Sequence, residues 1–382
     1  MLGAPVSNFS RLNAQQKGMV IQMKKLYSKQ IVSIILALVL SCSLGIVAFA
    51  TPASTNEDNA ILAATSWMNE HYGDYYTLSD VDATIIRTFE SSSEIRYYIL
   101  VTCKTLLKAD DVTDLPFVQG LNSYVSAQSN TRALSLGETA AIDEFVDGLE
   151  EYIGEYSDMS VDLVYCISKT RSSDPVALYY QDMQTTTLSD VNDISLSTTE
   201  MYNSGVVTAS ALLSPQISTY SYTGYDRIAA RDYALTYSSN ATSCYDDGST
   251  CSVMQNRTYW NNTTYPYWTI FKHADCADFV SQCLVAGGIP VDPGAWQRGN
   301  DSGAWANAAY LKNYMVANSY WTTSTFAAAA AGAVRHTGTG EHVVLVTYND
   351  TVTHRYSGHT WDRCNRDFIN DNVNFEYYII NQ

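Results

Sequence analysis

The sequence predicts an α+β protein. Helix-period stretches and short strand-like stretches are mixed along the chain. Two such mixtures are separated by a segment rich in Ser, Thr and Asn. At 382 residues the chain is also long enough for two domains of ordinary size.

Residues 1–50 read as an export signal. Arg11, Lys17, Lys24, Lys25 and Lys29 stand in the first 30 residues with no acid among them. An apolar run from Ile31 to Ala50 follows and ends Ala48-Phe49-Ala50, a small-x-small cleavage pattern. A run of roughly 20 apolar residues also suffices for a membrane anchor. The small-residue end, the polar Thr51-Pro52-Ala53-Ser54 and the lack of a basic stop-transfer cluster favour cleavage. No stable span is therefore expected in the mature protein. Met19 and Met23 are alternative starts, and Val39-Leu40-Ser41-Cys42 is only a faint lipid-attachment pattern, because the chain stays apolar beyond it.

Residues 56–190 read as a small α+β domain. Ile61-Leu62, Trp67-Met68 and Tyr72 fall near helix spacing over 58–78, and 136–154 repeats that period. Ala83–Phe89 and Ile95–Cys103 read as strands joined by Glu90-Ser91-Ser92-Ser93, and Val161–Ser168 and Val176–Asp182 as two more. This part holds no metal spacing, phosphate loop or nucleophile motif, and its one histidine, His71, reads as a surface residue. A spacer, inhibitory or wall-binding module is expected. Residues 191–221 read as a Ser/Thr-rich linker with a short helical piece near Val206–Leu213.

Residues 222–382 carry the chemistry. Tyr225–Ser239 reads as a helix, Tyr259–Phe271 as an aromatic loop, and Trp305–Val316 as another helix. Gly332–His336, Glu341–Tyr348, Val352–Ser357 and Tyr377–Ile380 read as strands. Between them Asp275 is a good N-cap, and Phe279, Val280, Cys283, Leu284 and Gly287 form an apolar helical stripe. Gly287-Gly288 and Pro290 stop that helix. Cys276 then occupies the first helical position, where free N–H groups and the dipole favour a thiolate. Its backbone N–H is also suited to a developing oxyanion. Cys283, about 10 Å further along by helix rise, reads as core and lies too far away to form a disulfide with Cys276.

A cysteine nucleophile needs an imidazole base, and that base needs an orienting group. His342 opens a strand whose period-2 partners, Val344 and Val346, are apolar, so its side chain should point inward. A turn at Asn349-Asp350 would put His342 opposite Ser357, Gly358 or His359. His359 is thus the candidate third residue, with Asp362 and Asn365 as substitutes and His354 a weaker choice. His273 and His336 read as surface or rim residues. Trp296 and Trp305 are candidates for lining a substrate groove.

The formal net charge is −17 and becomes −22 once the five basic residues of the leader are removed. Such a balance repels nucleic acid and anionic lipid. Seven of the eight cysteines lie beyond the leader, an odd number, so at least one is unpaired or paired between molecules. Cys244 and Cys251 bracket a turn-rich loop that either closes as a local disulfide or holds two free thiols.

These residues together resemble the Putative amidase domain family of exported bacterial proteins, part of the papain-like group that includes the NlpC-type and CHAP cell-wall amidases. The resemblance covers about residues 222–370. It rests on Tyr225-Asp226-Arg227-Ile228-Ala229-Ala230, Asp275-Cys276, Phe279-Val280-Ser281-Gln282-Cys283, Ala286-Gly287-Gly288, Trp305, His342-Val343-Val344-Leu345-Val346-Thr347, and His359-Thr360 with Asp362. It implies a nucleophile helix packed on an antiparallel sheet, with Cys276 as nucleophile, His342 as base and His359 as third residue. Two positions depart from it: Asp278 stands where the family usually has Asn, and Ala333 follows Gly332 where the family often has Asp. The expected activity is that of a secreted cysteine amidase or peptidase acting on cell-wall peptide, without metal or cofactor. Deamidation and acyl transfer would use the same site. The rival expectation is a non-catalytic wall-binding module, which the Tyr-, Ser-, Thr- and Asn-rich composition would suit.

Overall fold

The computed structural model describes residues 55–170, 176–182, 187–213, 224–243, 254–266, 274–299, 303–338, 342–368 and 375–381. The expected leader, His273, Cys244 and Cys251 lie outside the described residues.

Helix α1 (Asn56–Tyr72) starts at a capping box between Thr55 and Asp58 and stops at Gly73. It packs on β1 (Tyr76–Glu90) and β2 (Glu94–Leu107), an antiparallel pair longer than the sequence pattern suggests. Next come α2 (Pro116–Ser129), α3 (Leu136–Glu150), β3 (Tyr156–Ser168), β4 (Val176–Asp182), β5 (Thr187–Asp190) and α4 (Thr198–Leu212). Helix α4 occupies much of the expected linker and is longer than the short helical piece read there. Gly120 of α2 and Gly205 of α4 explain its docking: a Cβ on Gly205 would stand 1.9 Å from the Phe117 carbonyl, and one on Gly120 as close to that of Tyr202. The two backbones touch because neither residue has a side chain.

The C-terminal part supplies α5 (Arg227–Thr236), α6 (Cys276–Ala286), α7 (Ala308–Ala317), β6 (Trp321–Ser324), β7 (Val334–Thr337), β8 (Val343–Asn349), β9 (His354–Gly358), β10 (Arg363–Asp367) and β11 (Phe375–Ile380). Among the described residues eleven strands form one sheet, in the order β1-β2-β3-β10-β9-β8-β7-β11-β6, with β4 on β3 and β5 on β4. The architecture is therefore α+β. Strand β3 joins the two halves. Its later residues pair with β4, while Ser160, nearer its start, pairs in parallel with Arg366 of β10.

Every residue of β8 is buried. Val343 and Leu345 pack in one cluster with Cys276, Phe279 and Val280 of α6. Val344 and Val346 pack on the other face with Tyr356, Phe368, Phe375 and Tyr377. This follows from the period-2 alternation of a strand covered on both sides.

Residues 55–382 form one compact unit. A buried polar seam runs along the junction of its two halves. Tyr76 donates to Asp350 at 2.5 Å and Tyr72 to Asp367 at 2.8 Å, while Tyr180 donates to the Asp367 carbonyl at 2.9 Å. Asp162 of β3 pairs with Arg363 and with Arg366. Apolar packing crosses as well, with the rings of Tyr152 and Tyr348 4.5 Å apart. Among the described residues no helix is long and apolar enough to cross a membrane.

Candidate active site

Cys276 is the first residue of α6, and the helix buries Cys276 through Leu284 without interruption. Asp275 holds the N-cap position but makes no side-chain cap bond. Its carboxylate instead meets Nδ1 of His359 at 2.7 Å, and its N–H donates to Thr360 Oγ1 at 3.1 Å. Without that cap bond, the first turn can serve the thiol. The Cys276 sulfur is faced by the N–H of Val343, the hydroxyl of Thr360 and the N–H of Ala277, all of which favour thiolate. Burial is the larger effect, and with the Asp275 charge it holds the thiol above its ordinary value. A lowered value was the expectation from helix position alone, but a side chain this thoroughly desolvated reverses it.

Thr360 has φ 78, in the left-handed region. That backbone is costly for a β-branched residue. It is held between two contacts, the Asp275 N–H and the Cys276 sulfur.

His342 is 8 % exposed and lies directly before Val343, whose N–H faces the sulfur. Its backbone exchanges bonds with Thr337 of β7. The neighbouring register pairs are Arg335 with Val344 and His336 with Val343. Alternation therefore assigns the His342 side chain to the Arg335 and Val344 face, with Val343 on the α6 face. Burial pushes its imidazole down to about 4, helped by Arg335 and His336 and opposed by Asp182. It is a neutral group at pH 7. Among the described residues no hydrogen bond joins His342 to Cys276 or to His359.

The register of β8 and β9 explains the second absence. Leu345 lies opposite Ser357, with an irregularity between Val346 and Tyr348. Ser357 thus falls three residues beyond His342, not opposite it. His359 comes out on the α6 face, stacked between Trp260 and Phe279 with both ring centroids 4.0 Å away. Its Nδ1 meets Asp275 and its Nε2 meets the Tyr237 carbonyl at 2.8 Å. A carbonyl only accepts, and a carboxylate accepts, so both ring nitrogens donate and the ring is an imidazolium. Its value is raised, burial being outweighed by the Asp275 bond and charge. The expected orienting bond from His359 to His342 is absent because both nitrogens are taken.

The two substitutes do not replace it. Asp362 accepts from Ser239 N at 3.0 Å, Asn256 N at 3.1 Å and Trp260 Nε1 at 3.1 Å, which fixes the indole lying on His359. Asn365 accepts from Thr347 at 2.9 Å and donates to the Asp158 carbonyl. His354 packs on Phe326 at 3.7 Å. His336, expected at the surface or rim, is fully buried and bonds the Ala308 carbonyl at 3.0 Å.

Trp296 and Trp305 are 0 % and 2 % exposed. Their rings lie 5.3 Å apart at a tilt, with Trp296 Nε1 donating to Ser281 at 3.0 Å and Trp305 Nε1 donating to Asp278. Both are core residues in place of the expected groove lining, since their N–H groups find partners on the helix. Asp278 also accepts from Arg298 at 3.2 Å and Gln282 at 2.8 Å. Burial and the neighbouring Asp275 charge push its carboxyl up to about 6.

Sequence reasoning missed the contacts of Thr360 and Val343 with the thiol and the pairing of Asp275 with His359. A signal existed for the last: an acidic residue beside a nucleophile is as able to pair with a histidine as to cap a helix. Among the described residues no three His, Cys, Asp or Glu side chains group as a metal site requires.

Comparison with curated proteins and with solved structures found no match. Residues 224–380 match the family model described as Putative amidase domain, a span that includes Cys276, His342, His359 and the elements that hold them.

Proposed function

We propose that the C-terminal part is a cysteine amidase or peptidase of papain-like architecture, and that the protein is exported to act on cell-wall peptide. The family match supports amidase chemistry in general. The observation that carries the cysteine mechanism is the convergence of three donors on one buried thiol beside His342. In this reading Cys276 attacks the amide carbonyl, and His342 takes the thiol proton and returns it to the leaving amine. The acyl-thioenzyme is then hydrolysed by water.

The closed arrangement is a resting state. Moving a proton from a thiol raised by burial to an imidazole lowered to about 4 is uphill. Catalysis therefore requires the His342 ring to turn around the leading end of β8 to the sulfur as substrate binds. Catalytic hydrogen bonds commonly tighten only in the substrate complex. Export rests on the basic leader, its apolar run and Ala48-Phe49-Ala50.

The test is digestion of purified peptidoglycan by the chain and by Cys276→Ala, with released fragments identified by mass spectrometry. New amine ends or free stem peptides from the parent alone are expected. No release with both proteins still bound to the wall would replace this reading with a binding module. Neither release nor binding would remove the wall as substrate.

A further inference from the structure

Arg335 is fully buried, and its guanidinium lies 3.5 Å from the centroid of Phe375 and 4.5 Å from that of Phe368. Its Nη2 meets Asp182 at 3.1 Å, while Nε and Nη1 have no hydrogen-bond partner. Among the described residues the only carboxylate paired with this cation comes from β4, in the half of the chain without nucleophile chemistry. Arg335 pairs across the sheet with Val344, and the next pair in that direction on the same face is Thr337 with His342. Among the described residues the N-terminal half therefore reaches the neighbourhood of the candidate base through the Asp182–Arg335 ion pair.

We propose that Asp182 is a positioning residue for His342, acting through Arg335. The proposal rests on the reading of His342 as the base. Asp182 fixes the buried guanidinium and offsets its charge, and so sets the proton affinity of His342 and the direction in which its ring is free to turn. The charged and titratable groups acting on His342 are Arg335 and His336 of β7 and Asp182 of β4, while Cys276 of α6 lies on the other face of β8. Asp182 is the one carboxylate in that set. The seam holds it in place: β4 is paired to β3, which joins β10 and carries Asp162 to Arg363 and Arg366. On this account the N-terminal half is part of the catalytic unit, in place of the spacer, inhibitory or wall-binding module that its sequence suggests.

The experiment is nuclear magnetic resonance titration of the histidine rings in the full-length chain, with His342 assigned by loss of its signal in His342→Gln. Asp182→Asn should lower the His342 midpoint by about one unit, the lower end for a nearby charge. Arg335→Met should raise it by a similar amount, and adding Asp182→Asn to Arg335→Met should have a smaller effect than Asp182→Asn alone. If Asp182→Asn does not fold, Arg335→Met still decides, because it strands no buried cation. An unchanged midpoint in Arg335→Met, or in a folded Asp182→Asn that has merely lost thermal stability, overturns the proposal. Hydrolysis measured on the same variants separates the two readings. A midpoint that moves while the acid limb of the rate profile stays fixed leaves Asp182 positioning His342 and removes His342 as the base.

Discussion

Replacing Asp275 tests the charge assignment at the head of α6. His359 is enclosed by Trp260, Phe279, Asp275 and the Tyr237 carbonyl, and is 1 % exposed. Asp275→Ala strands a buried cation, and breaking such a pair costs about 3–5 kcal/mol. Asp275→Asn is milder. The imidazole can shed its Nδ1 proton, keep the Nε2–H bond to Tyr237, and accept at Nδ1 from the new amide. A charged bond worth about 1.5–3 kcal/mol becomes a neutral one worth about 0.5–1.5, so the loss is about 1–2 kcal/mol. The pH dependence has a definite sign. The folded value of His359 is raised above its ordinary 6.5, so the pair's contribution is complete below about 6.5 and is lost as pH rises through the folded value. Urea unfolding of the parent at several pH values should show that loss on the alkaline side. Asp275→Asn should flatten it, and nitrogen chemical shifts should show both ring nitrogens of His359 protonated in the parent at pH 7. Equal alkaline losses in parent and Asp275→Asn, or a singly protonated ring in the parent, would refute the imidazolium assignment.

Three further outcomes follow from the packing. Asp278→Asn should raise stability at neutral pH and do little at pH 4. The carboxyl sits at about 6 against an ordinary 3.8, a penalty that grows as pH rises through that window and reaches at most about 3 kcal/mol, less the lost charge on Arg298; melting temperatures at pH 4 and 7.5 measure it. Gly205→Ala should cost about 1–3 kcal/mol by forcing α2 and α4 apart, read as a lower melting temperature with Cys276 reactivity unchanged. Asp162→Ala leaves Arg363 and Arg366 buried without their carboxylate and should cost about 3–5 kcal/mol, enough to threaten folding of the whole unit; circular dichroism on heating reads this, and a melt like the parent's would show the seam to be unimportant.

The position of Cys276 was legible in the sequence because it depends on local signals. Phe279, Val280, Cys283 and Leu284 recur at helix spacing, Gly287-Gly288 stops the run, and the helix forms over Cys276–Ala286 as read. The alternation of β8 was legible for the same reason. Which face of β8 meets α6 was not legible. Val343 and Leu345 on one side and Val344 and Val346 on the other are chemically alike, so a strand buried on both faces carries no hydrophobic signal for its orientation. The register of β9 was out of reach too, because it turns on the irregularity between Val346 and Tyr348 and on Asp350 accepting from Val352 and Thr353 at 3.0 and 2.9 Å. That local geometry puts His359 on the α6 face, level with Val343, where it meets Asp275.

The N-terminal half is the harder case. Its carboxylates read as ordinary surface charge in a chain of net −17, and nothing local marks Asp162 or Asp182 as counter-ions for arginines about 150 to 200 residues further along. Yet the complementary signal was present in the C-terminal half. Arg335, Arg355, Arg363 and Arg366 lie within the strand region, and all four are at most 2 % exposed. Arginine is almost never fully buried unless paired. Aspartates local to that half serve these cations only in part: Asp350 and Asp367 act on Arg355, while Asp362 also holds Trp260 and Asp275 holds His359. Arg335, Arg363 and Arg366 take the carboxylates they pair with from the N-terminal half, Asp182 and Asp162. The edge that receives Asp162, β10 against β3, is the edge at which the two halves become one sheet.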